Sequence, residues 1–186
     1  MDLTIRPLTP SRWPDLEALF GKHGACAGCW CMYWRQPRSE QARRRGEGNR
    51  RAFRALVKGA RRPPGLLAYV DREPAGWVAV EPKSAYPSLL RSRRIAKVDD
   101  QPCWAITCLF VGRRHRKQGV ARQLVEAAVA HAKRHGARLV EAYPLESEGP
   151  VEPTSAWTGV VGMYDGAGFE AAARGSGRFV VMRRSL

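Results

Sequence analysis

Trp104-Ala-Ile-Thr-Cys-Leu-Phe-Val111, Gly112-Arg-Arg-His-Arg-Lys-Gln118 and Gly119–His135 follow one another without a break, and together they decide the fold. The first is a nearly continuous apolar run, which reads as a strand buried on both faces and central in its sheet. The second is a basic turn. The third carries Val120, Leu124, Ala128 and Ala132 at i, i+4, i+8 and i+12, the apolar face of a helix. Lys133, Arg134 and His135 suit the C-terminal dipole of that helix, and Gly136 is a natural C-cap. Arg138–Tyr143 is the next strand. Strand, helix and strand in this order imply a parallel crossover connection.

Toward the N-terminus, Leu66–Val70 and Gly76–Val80 read as two strands of a hairpin around Asp71–Pro74. Pro63-Pro64-Gly65 stops whatever precedes them. Ser39–Ala60 is highly charged but spaces Phe53, Leu56 and Val57 as a helix would, so its latter half is expected to be helical. Gly21–Gln36 reads as a loop, Trp13–Phe20 as a helix with Ser11 as its N-cap, and Leu3–Arg6 as the first strand. Glu81–Gln101 reads as a loop with a short helix around Ser88–Arg93. Toward the C-terminus, Pro144–Trp157 is a long loop, Thr158–Ala167 a short helix, and Phe169–Ala173 and Arg178–Arg183 a hairpin around Arg174-Gly-Ser-Gly177. The predicted order is β-α-α-β-β-β-α-β-α-β-β, an α/β chain forming one domain over residues 1–186.

Composition narrows the function classes. The 186 residues include 32 Lys and Arg against 17 Asp and Glu, a net charge of +15, which favours anionic partners. Arginine outnumbers lysine, and apart from the turn Arg113–Lys117 the basic residues form only short runs, Arg43–Arg45, Arg50-Arg51 and Arg91–Arg94, so the nucleic-acid signal is weak. No apolar run approaches the roughly 20 residues that span a bilayer, and the start lacks the pattern of a secretion signal. No membrane partner is expected. Five cysteines, an odd number, argue against a disulfide framework and for a reducing cytoplasm.

The junction Val111–Ala121 is built for an anion. The first N–H groups of a helix lack internal partners and point at whatever lies beyond its end. Gly119 leaves room for close approach, Ala121 keeps the next turn small, and Arg113, Arg114, Arg116 and Lys117 add charge. A diphosphate is the natural guest.

Arg116-Lys-Gln-Gly119-Val-Ala121 resembles the acetyl-CoA signature of the GNAT superfamily, [Arg/Gln]-x-x-Gly-x-[Gly/Ala], in the same strand-to-helix context. Tyr164-Asp-Gly-Ala-Gly-Phe169 resembles the family's Tyr-x-x-x-Gly-Phe ending, and the hairpin Ala68–Val80 sits where its second and third strands belong. Cys29-Trp-Cys-Met-Tyr-Trp-Arg35, Gly65-Leu-Leu-Ala-Tyr69 and Val140-Glu-Ala-Tyr-Pro144 resemble a smaller group of bacterial acetyltransferase-like proteins. The resemblance spans essentially the whole chain. It implies a central mixed, mostly antiparallel sheet with splayed fourth and fifth strands, flanked by helices. It also implies acetyl-CoA, or another acyl-CoA, as cosubstrate, an amine acceptor, and homodimers as a common assembly. The pyrophosphate would be held at Arg116, Lys117, Gln118, Gly119, Val120 and Ala121. The backbone of Leu109, Phe110 and Val111 would pair with the pantetheine arm like an added strand and supply an oxyanion donor.

Direct transfer needs an unprotonated amine, a polarised thioester and a proton for the departing thiolate, whose pKa is near ~8.5. Tyr164, placed as the family's tyrosine, is the candidate acid. The base has several candidates. Trp104–Val111 carries no carboxylate; Glu81 follows the third strand and Glu141 lies in the fifth, and either would act through a water or serve as a structural ion pair among so many arginines. Asp99 and Asp100 are more remote, and a water relay with no dedicated base is a further option. A covalent route through Cys108 would need an activating neighbour. His23, Cys26, Cys29 and Cys31 supply ligand atoms, but four within nine residues lack the two-knuckle spacing of structural zinc, so no metal is expected. Trp30, Tyr33 and Trp34 are either core aromatics or, with Arg35 steering an anionic acceptor, the candidate acceptor wall. The preferred acceptor is a small amine; acyl transfer to a protein amine or involving aminoacyl-tRNA, and a non-catalytic CoA-binding module, are the alternatives.

Overall fold

The computed structural model describes residues 2–147, 149 and 157–186. The elements are β1 (Leu3–Pro7), α1 (Trp13–Phe20), α2 (Arg38–Arg43), α3 (Glu47–Gly59), β2 (Gly65–Val70), β3 (Glu73–Pro82), α4 (Pro87–Leu90), β4 (Trp104–Val111), α5 (Val120–Arg134), β5 (Leu139–Ala142), α6 (Val161–Asp165), β6 (Glu170–Arg174) and β7 (Val180–Ser185). The strands form one sheet in the order β1-β2-β3-β4-β5-β7-β6. Neighbours are antiparallel except β4 and β5, which run parallel with α5 as their crossover. The mixed, mostly antiparallel sheet implied by the resemblance is what forms, with the parallel crossover that the strand–helix–strand pattern predicts.

Two features of β4 position everything else. Cys108 pairs with Ala79 and Ile106 with Val80, so Thr107 is an extra residue, a β-bulge. The bulge resets the in–out alternation: Ile106 and Leu109 enter the core under α5, whereas Cys108 and Phe110 turn to the opposite face. Pairing with β5 is also short, covering only Trp104 to Ile106 against Val140 to Ala142. Beyond that point the β5-side edge of β4 is free of its neighbour.

One face of the sheet is covered by α5 through Val120, Leu124, Val125, Ala128 and Ala132, as the i, i+4 spacing predicted. The other is covered by α1, α3 and residues 21–36 around Trp77, whose indole meets Phe53 at 5.9 Å and Phe20 at 6.3 Å. Each such fully buried large side chain contributes about 1.5–3 kcal/mol. Asn49, buried in α3, ties this layer together. Its amide donates to the carbonyls of Gly28 and Gln41 at 3.0 Å each and accepts from Gln36 at 2.7 Å.

Several boundaries differ from the sequence expectation, each for a local reason. The charged stretch before Phe53 holds two helices, not one, because Gly46 at φ 78° breaks the chain between them and Glu40–Arg44 supports the first. Ser11 does not cap α1; it lies in a 3-10 turn and its hydroxyl meets Thr9 Oγ1 at 2.8 Å. Asp71 and Arg72 alone form the hairpin turn, both at positive φ, so Glu73 and Pro74 join β3. The short helix α4 lies N-terminal to the one expected around Ser88–Arg93, since Pro87 suits a first helical turn. α6 is shorter than Thr158–Ala167. Part of the expected loop Pro144–Trp157 lies outside the described residues.

Candidate active site

The anion end of the site is the β4–α5 turn. Gly119 is the N-cap of α5, at φ 80°, ψ −2°, a left-handed conformation costly for residues with a Cβ. Space around it is open, so backbone conformation, more than crowding, is what demands glycine here. Helical geometry leaves the N–H groups of the first turn without intrahelical partners. Arg116 donates from Nε to the Val111 carbonyl at 3.1 Å and Gln118 from Nε2 to the Arg114 carbonyl at 2.9 Å, which fixes the turn against the strand end.

Next comes the open edge of β4. Leu109 N–H points away from β3 and donates to the Trp157 carbonyl at 2.7 Å. Alternation then puts the Val111 peptide groups on the same edge and those of Phe110 toward β3. The backbone pairing expected of Phe110 thus falls to its two neighbours. Phe110 contributes its ring, edge-on to Phe20 at 5.6 Å.

Beside this edge lies a cavity of about 310 Å³, floored by Cys108, Leu109 and Phe110 and closed by Tyr33, Arg45 and Trp157. Its far wall comes from the segment after α1, where Ala25, Ala27, Trp30 and Cys31 all adopt positive φ. Four such non-glycine residues in seven positions are unusual, and strain of this kind is held by surrounding structure and gathers at functional sites. Here the Asn49 hydrogen bonds do part of the holding.

The four residues expected as the acceptor wall divide. Tyr33 lines the cavity, edge-on to Trp157 at 5.1 Å. Trp34 lies on the neighbouring cleft, with Tyr33 between the two. Trp30 is in the core, against Phe20 at 5.4 Å. Arg35 is buried too: it is ion-paired with Glu81 at 2.5 Å and stacked over Tyr86 at 4.6 Å, so its charge is used internally.

The carboxylates are likewise engaged. Glu141 has a fully buried side chain that accepts from Lys83 at 2.6 Å, Tyr143 at 2.7 Å and Arg183 at 2.7 Å. Burial alone would push its carboxyl up; the bonds from Lys83, Tyr143 and Arg183 outweigh that and hold it below the ordinary glutamate value. Arg183 also clasps Asp99 through both terminal nitrogens, and Asp100 pairs with Lys97 at the surface. Glu81 and Glu141 both sit opposite Ala105. At 3.3 Å per residue that row is roughly 13 Å along β4 from Leu109.

Tyr164 is close to the open edge instead. It is fully buried, in contact distance of the Leu109 neighbourhood through Gly159, and its hydroxyl donates to the Thr158 carbonyl at 3.1 Å. Burial, then the nearby Cys108, pushes its phenol well above the ordinary value, so it holds its proton.

Sequence reasoning missed the contact between Cys31 and Cys108. Cys31 Sγ accepts from the Trp77 indole at 3.0 Å and from the Cys108 thiol. Although burial opposes it, these bonds and the Arg35 charge lower the Cys31 pKa. Cys108, hydrogen-bonded to Cys31 and buried, is raised well above the usual thiol value, and burial pushes Cys29 up to about 12. Trp157, Gln41 and Arg45 were also not anticipated at the cavity. No motif marks them, because only the tertiary packing of distant segments brings them together.

The acetyltransferase (GNAT) family model matches residues 23–148. A search of curated proteins finds no match. An acetyltransferase from Thermus thermophilus shares 18% identity, with 100% of this chain and 98% of that one covered at a TM-score of 0.56. A Corynebacterium glutamicum structure, histone acetyltransferase HPA2 and related acetyltransferase, shares 17%, covering 100% and 97% at 0.57. The PaiA N-acetyltransferase of Thermoplasma acidophilum, in complex with coenzyme A, shares 14%, covering 100% of both chains at 0.55. At such identities the likeness is one of fold. With the family model over two thirds of its length, a bulged β4 open on one edge and a glycine-capped helix after it, this chain belongs to the GNAT family and is an acyl-CoA-dependent N-acetyltransferase.

Proposed function

We propose that the protein transfers an acetyl group directly from acetyl-CoA to the amine of a small acceptor held in the cavity beside Cys108, Leu109 and Phe110. The observation that carries this is the short β4–β5 pairing. It leaves one strand edge available between an anion-binding helix start and an enclosed cavity.

In this reading the backbone N–H groups of Gln118 to Ala121 hold the pyrophosphate, assisted by Arg116 and Lys117. Leu109 and Val111 pair with the pantetheine arm, and the Leu109 N–H, which the Trp157 carbonyl accepts in this structure, becomes the donor to the thioester oxygen. Tyr164, kept protonated by burial, hydrogen-bonds the departing thiolate as it forms, and the proton that the amine gives to water replaces any that the phenol passes to the sulfur. The cavity lining contains neither carboxylate nor imidazole among the described residues. Glu81 and Glu141 are held by Arg35, Lys83 and Arg183, so water takes the amine proton. Cys108 remains a thiol, which supports direct transfer over an acyl-cysteine route. The chain acts as one catalytic unit over residues 1–186, and its odd number of cysteines suits a reducing, cytoplasmic setting.

The net charge of +15 favours one second reading, with tRNA or a protein as the acceptor's carrier. A thiol-release assay with acetyl-CoA against small amines, peptides and aminoacyl-tRNA decides between them. Turnover with a small amine supports the first. Turnover only with a macromolecule, falling steeply with salt, supports the second. CoA binding with no turnover on any acceptor would sink both.

A further inference from the structure

A second cleft, of about 380 Å³, adjoins the acceptor cavity and shares Tyr33 with it. Arg38, Arg91, Arg93 and Arg94 line it together with Tyr33 and Trp34. Elsewhere near the site arginines are neutralised: Arg35 by Glu81, Arg44 by Glu40, Arg50 by Glu17 and Arg183 by Asp99 and Glu141. Among the described residues, none of the four cleft arginines has a carboxylate within 4.0 Å, and neither does Arg45 in the adjoining cavity.

Two of these guanidinium groups are positioned by rings. Arg38 lies over Tyr33 at 5.3 Å and Arg94 over Phe179 at 5.1 Å. The Arg94 carbonyl also accepts from the Ser176 N–H at 3.1 Å, which anchors the backbone of that turn. The Trp34 indole N–H, buried and on the same cleft, has no partner among the described residues. Stacked guanidinium forks facing no carboxylate are suited to a planar or tetrahedral oxyanion. Among the described residues the two cavities contain no acidic side chain, so there a second ammonium group on the acceptor would meet only like charge.

We infer that the acceptor is an amine carrying an anionic group, a phosphate or carboxylate, whose amine enters the cavity at Cys108 while its anion is held in the cleft by Arg38, Arg91, Arg93 and Arg94. This rests on the acceptor-cavity reading above and adds the substrate class to it. Arg35, buried against Glu81, is not the steering charge.

The test has two arms. In the first, protein saturated with CoA is titrated with inorganic phosphate by calorimetry. Saturable binding is expected, weakened by roughly tenfold or more in an Arg91→Glu/Arg93→Glu variant, as loss of charge-assisted hydrogen bonds implies. No saturable binding, or binding undiminished in the variant, overturns the inference. In the second arm, thiol release is compared for O-phosphoethanolamine against ethanolamine and for β-alanine against propylamine. The anionic member of a pair is expected to have a kcat/KM higher by roughly tenfold. The variant should lose that gain, and the loss should fall on KM more than on kcat. The two pairs separate phosphate from carboxylate. Equal use of charged and neutral amines overturns the inference and leaves acetyl transfer standing. If no amine releases thiol, the small-amine reading fails, and the phosphate titration still decides the cleft. Displacement of phosphate by submicromolar tRNA would overturn the small-acceptor assignment.

Discussion

The two halves of β4 differ in what their edges do. From Trp104 to Ile106 the strand is bonded on both sides, and the row through Ala105 is flanked by two ion-paired glutamates, Glu81 and Glu141. From Leu109 to Val111 it is bonded to β3, while Leu109 turns its N–H outward to the carbonyl of Trp157. The bulge at Thr107 separates the halves. The difference teaches that an acidic residue in a central sheet need not belong to the chemistry. Glu141 is tied to Lys83, Tyr143 and Arg183, and the groups proposed to bind lie a few residues farther along.

The largest effect that would break this comparison lies at the closed half. Glu141→Gln leaves Lys83 and Arg183 facing an uncharged group, and unfolding in urea is expected to show a loss of about 3–5 kcal/mol. The rate per folded molecule should be unchanged; a collapse of kcat with little loss of stability would make Glu141 a base after all. At the open half the expectation reverses. Tyr164→Phe should lower thiol release by about 100-fold while CoA affinity is retained. A rate within a few-fold of the parent would reduce Tyr164 to packing. Gly119→Val forces a β-branched residue toward positive φ, at a cost of about 1–2 kcal/mol, so CoA should bind roughly tenfold more weakly with the sheet intact.

The smallest effect sharpens the same contrast through pH. His131, on α5 under Trp104, is pushed down to about 4 by burial, then by the charges of His135 and Arg134. In the unfolded chain it titrates near ~6.5. Between those values the unfolded state binds the extra proton, so stability is lost as pH falls from about 6.5 toward 4. Urea midpoints at pH 7 and pH 5 should diverge less in His131→Phe than in the parent. An equal divergence in both proteins would remove His131 from the explanation.

The strand–turn–helix around β4 was legible because its signals are local. A continuous apolar run, a basic turn, a glycine and a 3.6-residue stripe need no knowledge of the rest of the chain. Tyr164 was legible through its distance from Gly168 and Phe169. The acceptor side was not, because its residues meet only through tertiary packing. Arg35 reads in sequence as a free charge, yet Glu81 lies 46 residues away and neutralises it. Trp30 and Trp34 look alike on paper, and both are buried, but in different core clusters: Trp30 packs with Trp13 and Phe20, Trp34 with Tyr33 and Trp157 beside the cleft. The Thr107 bulge has no sequence mark, and it is what turns Cys108 toward the cavity.

A single N–H cannot serve Trp157 and an acyl arm at once. On the proposed pairing of the acyl arm with Leu109 the Trp157 carbonyl would let go, and the Trp157 ring, packed on Tyr33 at 5.1 Å and Trp34 at 6.1 Å, lines the cavity proposed for the acceptor. Arrival of one substrate would on that proposal reshape the seat of the other. The enzyme is expected to follow an ordered sequence with acyl-CoA first, to give intersecting initial-velocity lines, and to bind acceptor and cosubstrate with one shared, reciprocal coupling factor.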